Sequence, residues 1–221
     1  MAEPKLLTYR DATAWSDNLR GSMVLPNGSE WPRYRWVENH VHKADRVLDI
    51  GCNSGQIIRN LQASERKPRL NCYGVDIDPS HIEFCKSRDK GRVPRFFVCA
   101  GEYVDTVFPA KHFDTVLALE VIEHVKHLRP FLSAIMHVLR PGGQLLVTTP
   151  MPHTIIGYPY MQKYPQHRRV FNMVRMRVVM ESAGFEFSTL EAVEKIGHGN
   201  IYMCGAFKRP IWASERGEER R

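Results

Sequence analysis

The chain has 221 residues, 43% of them hydrophobic, and a formal net charge of +7, which together predict one globular domain and exclude a disordered chain. No apolar run reaches the length of about eighteen residues that a membrane span needs, and residues 1–15 carry charges where a signal peptide would be apolar. Five scattered cysteines without a CxxC pair favour buried thiols over disulfides or a zinc site, so we expect a cytoplasmic protein with no membrane partner.

The hydrophobic pattern predicts short strands that alternate with helices from residue 46 onward. Residues 1–44 mix aromatic residues, proline and charges, and they predict an N-terminal extension that ends in a helix over 32–42 and is a candidate lid over the active site. Strand candidates lie at 46–50, 70–75, 95–99, 114–119 and 144–149, and helical stretches lie at 55–63, 79–89 and 128–139. Strands separated by helices of this length predict βαβ units.

The last part of the pattern predicts an antiparallel hairpin. An irregular segment at 150–166 precedes a helix at 169–183, which Gly184 closes. The strands at 185–191 and 200–207 have no helix between them, so we expect them to pair antiparallel. The predicted fold is a doubly wound α/β domain over residues 45–210, with a mainly parallel seven-stranded sheet and a flexible tail at 211–221.

A glycine-bearing turn follows the first predicted strand, within residues 47–55 (VLDIGCNSG). Small residues suit that turn because a ligand must approach the backbone closely, beside a helix N-terminus. The second strand ends with Asp76, and an acid at that position can accept both hydroxyls of a ribose. Together these features predict a nucleoside cofactor at the carboxyl ends of the strands.

The glycine turn resembles the first motif of the class I methyltransferases that use S-adenosyl-L-methionine (SAM), which is (D/E)xGxGxG. Asp49, Gly51 and Gly55 match this motif, and Asn53 replaces the middle glycine, since Asn tolerates positive φ better than most residues. The segments 74–76, 113–116 and 139–143 also match, in the family's order and spacing. The resemblance covers about residues 40–207 and implies SAM as the cofactor.

The resemblance assigns expected roles to residues of the cofactor site. Asp76 would hold the ribose of SAM, while Asp49 and Gly51 would lie near its methionine part. The loop at Gly101 and Glu102 would meet the adenine, although a solvated loop acid is an equal interpretation of Glu102. The expected cofactor-binding residues are Asp49, Gly51, Asn53, Gly55, Asp76, Ile77, Gly101, Glu102 and Glu120.

The sequence LEVIEH at 119–124 follows the fourth predicted strand, beside the expected position of the methyl group. If this turn is helical, Glu120 shares a face with Glu123 and His124. Two carboxylates and an imidazole suit a divalent cation, with Mg²⁺ or Mn²⁺ favoured by the carboxylates. A metal there would lower the pKa of an acceptor hydroxyl. Without a metal, His124 would instead act as the general base.

The ExxEH arrangement resembles two groups of metal-assisted methyltransferases. They are the ubiquinone-biosynthesis O-methyltransferases and the enzymes that 2′-O-methylate the 3′ ends of RNA. The RNA group adds a later histidine before an aromatic residue and a helix, and His167 with Phe171 is a loose match. The implied metal ligands are Glu120, Glu123, His124 and His167, and the implied catalytic residues are Glu120, His124 and His167. Many similar methyltransferases carry EVIEH without a metal, and Glu120 would then contact the methionine amine.

An acid-free segment from His124 to Met180 holds eight Lys and Arg residues, so the basic excess is concentrated there. This fold builds its acceptor wall within 150–177, where basic and aromatic side chains alternate. Such a mixture suits an anionic, ring-bearing acceptor, and the alternative is a solvated basic helix face. The expected acceptor-binding residues are His153, Tyr158, Tyr160, Arg168 and Arg169.

Three functions are compatible with these features. The leading hypothesis is methyl transfer from SAM to an oxygen, or less favourably a nitrogen, of a small anionic or aromatic metabolite. The second is an RNA or nucleotide methyltransferase, for example one acting on the 2′-O of an RNA 3′ end. The third is a non-catalytic binding partner with the SAM fold, which the intact Asp49, Asp76 and Glu120 disfavour.

Overall fold

The computed structural model describes residues 32–43, 45–64, 70–89, 95–151, 166–194 and 201–215. Some predictions lie outside these residues, namely the part of the candidate lid (1–44) that spans residues 1–31 and the acceptor-binding side chains His153, Tyr158 and Tyr160. In the described part of the chain, no helix has both the length and the apolar composition needed to cross a membrane.

Helices and strands alternate along the described residues, as the hydrophobic pattern predicts. The α-helices are α1 (Pro32–His40), α2 (Gln56–Ala63), α3 (Pro79–Asp89), α4 (Val104–Val107), α5 (Leu128–Val138) and α6 (Met173–Ser182). The strands are β1 (Arg46–Ile50), β2 (Asn71–Asp76), β3 (Arg95–Val98), β4 (Phe113–Leu119), β5 (Leu139–Met151), β6 (Glu186–Glu194) and β7 (Ile201–Lys208).

The strands form one seven-stranded sheet in the order β3-β2-β1-β4-β5-β7-β6. The strands β1 to β5 are parallel, whereas β7 runs antiparallel to both β5 and β6. The predicted doubly wound α/β fold with its C-terminal antiparallel hairpin is therefore confirmed. Strand β5 begins earlier than predicted because Leu139 already pairs with Phe113, before the register shifts and Gln144 pairs with Thr115.

Both faces of the sheet are covered, which explains why its central strands are almost continuously hydrophobic. Successive side chains of β1 point to opposite faces, so Val47 packs in one core cluster and Leu48 in the other. The five cysteines are all buried and free, as their scattered spacing predicts.

The helix α6 begins at Met173, so the predicted start at 169 is wrong. Asn172 caps this helix, because its side chain accepts a hydrogen bond of 2.8 Å from the backbone N–H of Arg175. The residues before the cap are not helical, and the backbone N–H groups of Arg168 and Arg169 donate to the carbonyl of Glu123. This pairing holds the segment that carries His167 against the turn after β4.

The segment after β7 packs against the domain as far as Glu215. Residues Ala213–Glu215 form a short 3₁₀ helix, and the buried Glu215 carboxylate accepts a 2.7 Å hydrogen bond from Arg209. The remainder of the predicted flexible tail, 216–221, lies outside the described residues.

An ion pair between Asp114 and Arg140 ties the start of β4 to the start of β5. The Arg140 Nε donates to Asp114 Oδ1, and the backbone N–H of Arg46 donates to Asp114 Oδ2 at 2.8 Å. Burial alone would raise the pKa of Asp114, but these donors outweigh it and hold the pKa below its ordinary value. The matching segments 113–116 and 139–143 thus meet in one structural contact.

We predict that Asp114→Ala lowers the free energy of unfolding by about 1–2 kcal/mol at pH 7, because it removes two hydrogen bonds to a charged group, one of them from a partly exposed arginine. The pKa of Asp114 is lower in the folded than in the unfolded state. The contribution of Asp114 to the free energy of unfolding is therefore complete above about pH 4, and it is lost as the pH falls through the pKa that Asp114 has in the folded state. Urea unfolding from pH 7 to pH 3 measures both effects, with the exposed Asp105→Ala as the control. If the difference in the free energy of unfolding between Asp114→Ala and the wild type does not become smaller in acid, this interpretation is contradicted.

Candidate functional site

The turns after β1, β2 and β4 lie at the same edge of the sheet. The three strands are neighbours and parallel, with Ile50 opposite Val75 in β2 and opposite Ala118 in β4. Since ligands of open α/β sheets bind at the carboxyl ends of the strands, this edge is the candidate site. It brings together the glycine turn, Asp76 and the acidic segment after β4.

The glycine turn after β1 has three residues with left-handed backbone conformations. They are Gly51 at φ +71°, Asn53 at φ +46° and Gly55 at φ +70°. Asn53 thus adopts the conformation for which Asn is a tolerable substitute for glycine. The turn leads directly into α2, whose first N–H groups carry a partial positive charge toward the site.

A close contact joins the glycine turn to the segment after β4. A Cβ atom on Gly51 would lie 2.5 Å from Val121 Cγ2, a separation that real side chains do not reach. Any larger residue at this position would therefore have to displace the turn, Val121 or both. Glycine at position 51 is required by packing as well as by its positive φ.

The Asp76 carboxylate is oriented by backbone donors at the end of β2. Its Oδ2 accepts a 2.8 Å hydrogen bond from the N–H of Asn53, and its Oδ1 accepts one of 2.9 Å from the N–H of Asp78. His81 on α3 places its Nδ1 3.3 Å from Oδ1. These contacts fix the carboxylate beside the glycine turn.

A second buried acid, Asp49, lies next to Asp76 at this edge. Burial raises the pKa of Asp49 well above its ordinary value, and the charge of Asp76 raises it further. A positively charged ligand group would relieve this unfavourable pairing of two acids. The residues expected at the adenine end are more exposed: Ile77 keeps 67% of its surface accessible, and Glu102 lies half-buried in the 3₁₀ helix Gly101–Tyr103.

Glu120 lies at the end of β4 in a left-handed conformation, with φ +58°. Its Oε1 accepts a 2.8 Å hydrogen bond from the hydroxyl of Thr148, and its Oε2 is 3.7 Å from Nη1 of Arg33. The condition for a shared helical face is not met, because residues 120–124 contain no α-helix. Glu120 therefore does not share a helical face with Glu123 and His124.

Glu123, His124 and His167 converge into one group. Each offers a ligand atom, and these three atoms lie within 4.8 Å of one another, without Glu120. The Glu123 carboxylate is buried, and neither oxygen has a hydrogen-bond partner among the described residues, although the Thr149 hydroxyl lies near enough to lower its pKa slightly. Burial is the main effect, and together with the charge of Glu120 it raises the pKa of Glu123 well above its ordinary value.

The two imidazoles of this group are uncharged near neutral pH. Their ring centroids are 4.6 Å apart and nearly perpendicular. Burial lowers the pKa of His124, and burial together with His124 lowers the pKa of His167 to about 4. His124 Nδ1 is 3.2 Å from the carbonyl oxygen of Gln166, so we assign its proton to Nδ1. Its Nε2 then carries a lone pair, 4.0 Å from Oε1 of Glu123.

The two arginines expected in the acceptor wall differ in their surroundings. The Arg169 guanidinium donates to the backbone carbonyls of Val125 and Lys126, so it fastens the segment after β4. The Arg168 side chain is exposed. Of these two arginines, Arg168 is thus the one that presents an exposed cation.

Arg33 and Thr148 are site residues that the sequence analysis missed. Arg33 lies in the first turn of α1, and its guanidinium is also 4.9 Å from the ring centroid of Tyr202. Thr148 lies in β5, one residue before the buried Thr149. Neither belongs to a motif with characteristic spacing, and only the pairing of β4 with β5 and the packing of α1 bring them to Glu120.

The comparisons with known proteins agree with this architecture. A family model described as a methyltransferase domain matches residues 25–190. A ubiquinone biosynthesis O-methyltransferase of Bradyrhizobium sp. (strain ORS 278) is 35% identical over 107 residues, which cover 47% of this chain and 39% of the relative. Its counterpart from Rhodopseudomonas palustris (strain HaA2) is 29% identical over 171 residues, which cover 66% of this chain and 63% of the relative. The chain thus spans only part of the length of these relatives.

A solved structure with the same fold is the 1,6-didemethyltoxoflavin-N1-methyltransferase of Burkholderia thailandensis. It was determined with bound 1,6-didemethyltoxoflavin and S-adenosylhomocysteine. Its TM-score is 0.64 at 18% identity, and the match covers 95% of this chain and 93% of that one. At this identity the likeness supports the fold alone.

We predict that Gly51→Ala destabilises the protein by about 2–4 kcal/mol, the sum of an unfavourable φ and an overpacked contact with Val121. Gly142→Ala is the matched control, because Gly142 has φ +70° but its Cβ would meet no atom closer than 3.5 Å. It should cost only about 1–2 kcal/mol. Thermal unfolding should further show that Val121→Ala restores part of the stability of Gly51→Ala. Equal losses for the two glycine variants, with no rescue, would overturn the packing explanation.

Proposed function

This chain belongs to the class I SAM-dependent methyltransferases, and we propose that it transfers a methyl group from SAM to an oxygen of a small, anionic or aromatic metabolite. The observation that carries the proposal is the group of Glu123, His124 and His167 at the same edge as the glycine turn. A hydroxyl acceptor must lose its proton during transfer, and this group can assist that loss. The O-methyltransferase names of the relatives support the same choice.

The residues around the glycine turn suit SAM in their charge and hydrogen-bonding groups. SAM supplies an electrophilic methyl group on a positively charged sulfur. We propose that the fixed Asp76 carboxylate accepts hydrogen bonds from the ribose hydroxyls with its remaining lone pairs. Asp49 would lie near the cationic methionine part, where a positive group offsets the cost of two adjacent buried acids. The exposed Ile77 and the loop at Gly101 and Glu102 would cover the adenine.

Arg33 and Glu120 form the end of the cofactor site near the methyl group. We propose that Glu120, held by Thr148, contacts the methionine amine of SAM, and that Arg33 pairs with the methionine carboxylate. The ion pair between Arg33 and Glu120 would thereby present one charge of each sign to a zwitterionic ligand. This arrangement leaves Glu120 outside the group of Glu123, His124 and His167. Glu120 would therefore bind the cofactor, whereas Glu123 would act on the acceptor.

The buried group of Glu123, His124 and His167 fits a divalent cation, such as Mg²⁺ or Mn²⁺. Two neutral imidazoles and a buried carboxylate that lacks a hydrogen-bond partner in the described part of the chain are suitable ligands, and a cation would offset the desolvation of Glu123. A bound metal would supply an acidic site that lowers the pKa of the acceptor hydroxyl. The carboxylate and the imidazole lone pairs would hold that metal, and the fixed tautomer of His124 would direct its Nε2 inward.

Without a metal, His124 is the residue best suited to remove the acceptor proton directly. Its Nε2 lone pair is held in place by the contact between Nδ1 and the Gln166 carbonyl, and its lowered pKa keeps the ring neutral. Methyl transfer itself then requires only that the acceptor oxygen be positioned in line with the methyl group. His167, packed edge-on against His124, would keep that ring in orientation.

A nucleotide or RNA acceptor is the second candidate, because a ribose hydroxyl would meet the same group. The exposed Arg168 is the feature of the described residues that favours it. The Arg169 guanidinium supports this candidate less, since it already donates to two backbone carbonyls. His153, Tyr158 and Tyr160 remain proposed acceptor-binding residues in either case.

We predict that Asp76→Ala weakens SAM binding at least about 100-fold, because two hydrogen bonds to a charged group are lost. The matched control is Glu83→Ala, which removes an exposed acid from α3 and should leave the affinity unchanged. Isothermal titration with SAM measures both, and thermal unfolding verifies that the variants are folded. A folded Asp76→Ala protein with near-wild-type affinity would contradict the assignment of the cofactor site.

We predict that EDTA abolishes methyl transfer and that Mg²⁺ or Mn²⁺ restores it. Glu123→Gln and His167→Ala should each weaken the binding of Mn²⁺ at least tenfold, whereas His127→Ala, which removes an exposed histidine, should not change it. Equilibrium dialysis with Mn²⁺ gives the affinities without requiring the acceptor. Activity that survives EDTA would exclude a metal and leave His124 as the general base.

A further inference from the structure

A cavity of about 560 Å³ lies away from the candidate active site, along one face of α5. Its walls come from the turn before β4, from α5, from the end of α6 and from the segment after β7. The residues that define its character are Lys111, Arg129, His137, Ser182, Arg209 and Trp212. Lys111 precedes the first residue of β4, whereas the active-site group follows the last. The length of β4, roughly 20 Å at 3.3 Å per residue, therefore separates this end of the cavity from that group.

The cavity has an excess of positive charge. Lys111, Arg129 and Arg209 line it, and no acidic side chain does so among the described residues. The nearest carboxylate, Glu215, accepts a 2.7 Å hydrogen bond from Arg209 and lies 3.2 Å from Nζ of Lys111. One carboxylate is thus shared by two of these three cations. The C-terminal ends of α5 and α6 also lie at the cavity, but each carries only about half a negative charge.

Arg209 forms the buried part of the basic wall of the cavity. It is only 5% exposed, and its Nη1 donates to the carbonyl of Leu139 at 2.9 Å while Nη2 serves Glu215. Its Nε has no hydrogen-bond partner among the described residues. The Nε atom has almost no accessible surface, so Arg209 adds positive charge to the wall rather than a donor that a ligand could reach.

Trp212 adds an apolar wall to the basic one. Its side chain is 47% exposed, and the Arg209 guanidinium lies 4.9 Å from the centre of its ring. An exposed indole beside cations suits a ligand that combines an anion with a planar or apolar part. The volume of the cavity lies within the range that binds small molecules.

We propose that this cavity is a second ligand site, which binds a phosphate-bearing small molecule such as a nucleotide. The phosphate oxygens would contact Arg129 and Lys111, and the charge of the buried Arg209 would add to their attraction. The base or another apolar part would lie against Trp212. The site does not depend on the proposed methyl transfer, because none of its residues belongs to the cofactor turn or to the group of Glu123, His124 and His167.

Titration calorimetry at low ionic strength tests the proposal, with pyrophosphate and ADP as probes. S-adenosylhomocysteine is added in excess, so that ADP cannot enter the cofactor site. We expect both probes to bind, with ADP the tighter because of Trp212, and with an affinity that falls as salt is added. Arg129→Ala and Lys111→Gln should each weaken the binding of both probes about tenfold. Trp212→Ala should weaken the binding of ADP but not that of pyrophosphate.

Lys86→Ala is the matched control, since it removes an exposed cation from α3 and should leave both affinities unchanged. Thermal unfolding identifies any variant that has lost its fold, and Arg209 is left intact because it also holds Leu139 and Glu215. Binding of neither probe up to 5 mM, on the order of the weakest specific sites, would overturn the proposal. Binding that Arg129→Ala and Lys111→Gln leave unchanged would overturn it as well.

Discussion

The close approach of Gly51 to Val121 is the constraint on which the candidate site depends. The glycine turn after β1 and the segment after β4 can meet only because position 51 has no side chain, as a Cβ there would lie 2.5 Å from Val121. This contact brings the expected cofactor turn and the residues that follow Glu120 to a single edge of the sheet. A substitution at Gly51 would therefore disturb both halves of the site at once.

The left-handed conformation of Glu120 then determines how the acidic residues divide their roles. It ends β4 abruptly and turns the Glu120 carboxylate toward Thr148 and Arg33. There the carboxylate has polar partners and stays partly exposed to solvent. Glu123, three residues later, is buried against the two histidines instead. Two carboxylates in one short motif thus have different surroundings, and differences of this kind give neighbouring acids different roles in enzymes. The backbone carbonyl of Glu123 also anchors the segment that brings His167 to the same place.

Much of the fold could be predicted from the sequence, because it rests on local signals. Buried parallel strands are short apolar runs, and Asn53 in a glycine turn already indicates a left-handed backbone. The start of α6 could not be predicted, since the cap at Asn172 competes with a helix-compatible stretch before it. The early start of β5 likewise depends on the pairing of Leu139 with Phe113, which no local sequence pattern indicates.

The candidate site was predicted less completely, because its geometry comes from contacts that are distant in sequence. The spacing of Glu120, Glu123 and His124 suggested one helical face, but the positive φ of Glu120 separates it from the other two. His167 was predicted only from a resemblance, and its contact with His124 results from backbone hydrogen bonds to Glu123. Arg33 carries no signal at all, because it reaches Glu120 only through the packing of α1.

The most direct test of the account follows a labelled methyl group from SAM. Purified protein is incubated with methyl-labelled SAM, a divalent cation and a cell extract divided into small-molecule, RNA and protein fractions. The account predicts label in a small-molecule product with a methyl ether or ester bond, and none when Asp76→Ala replaces the wild type. Label in nuclease-sensitive RNA would contradict the proposed acceptor, and no transfer to any fraction would contradict the proposed activity itself.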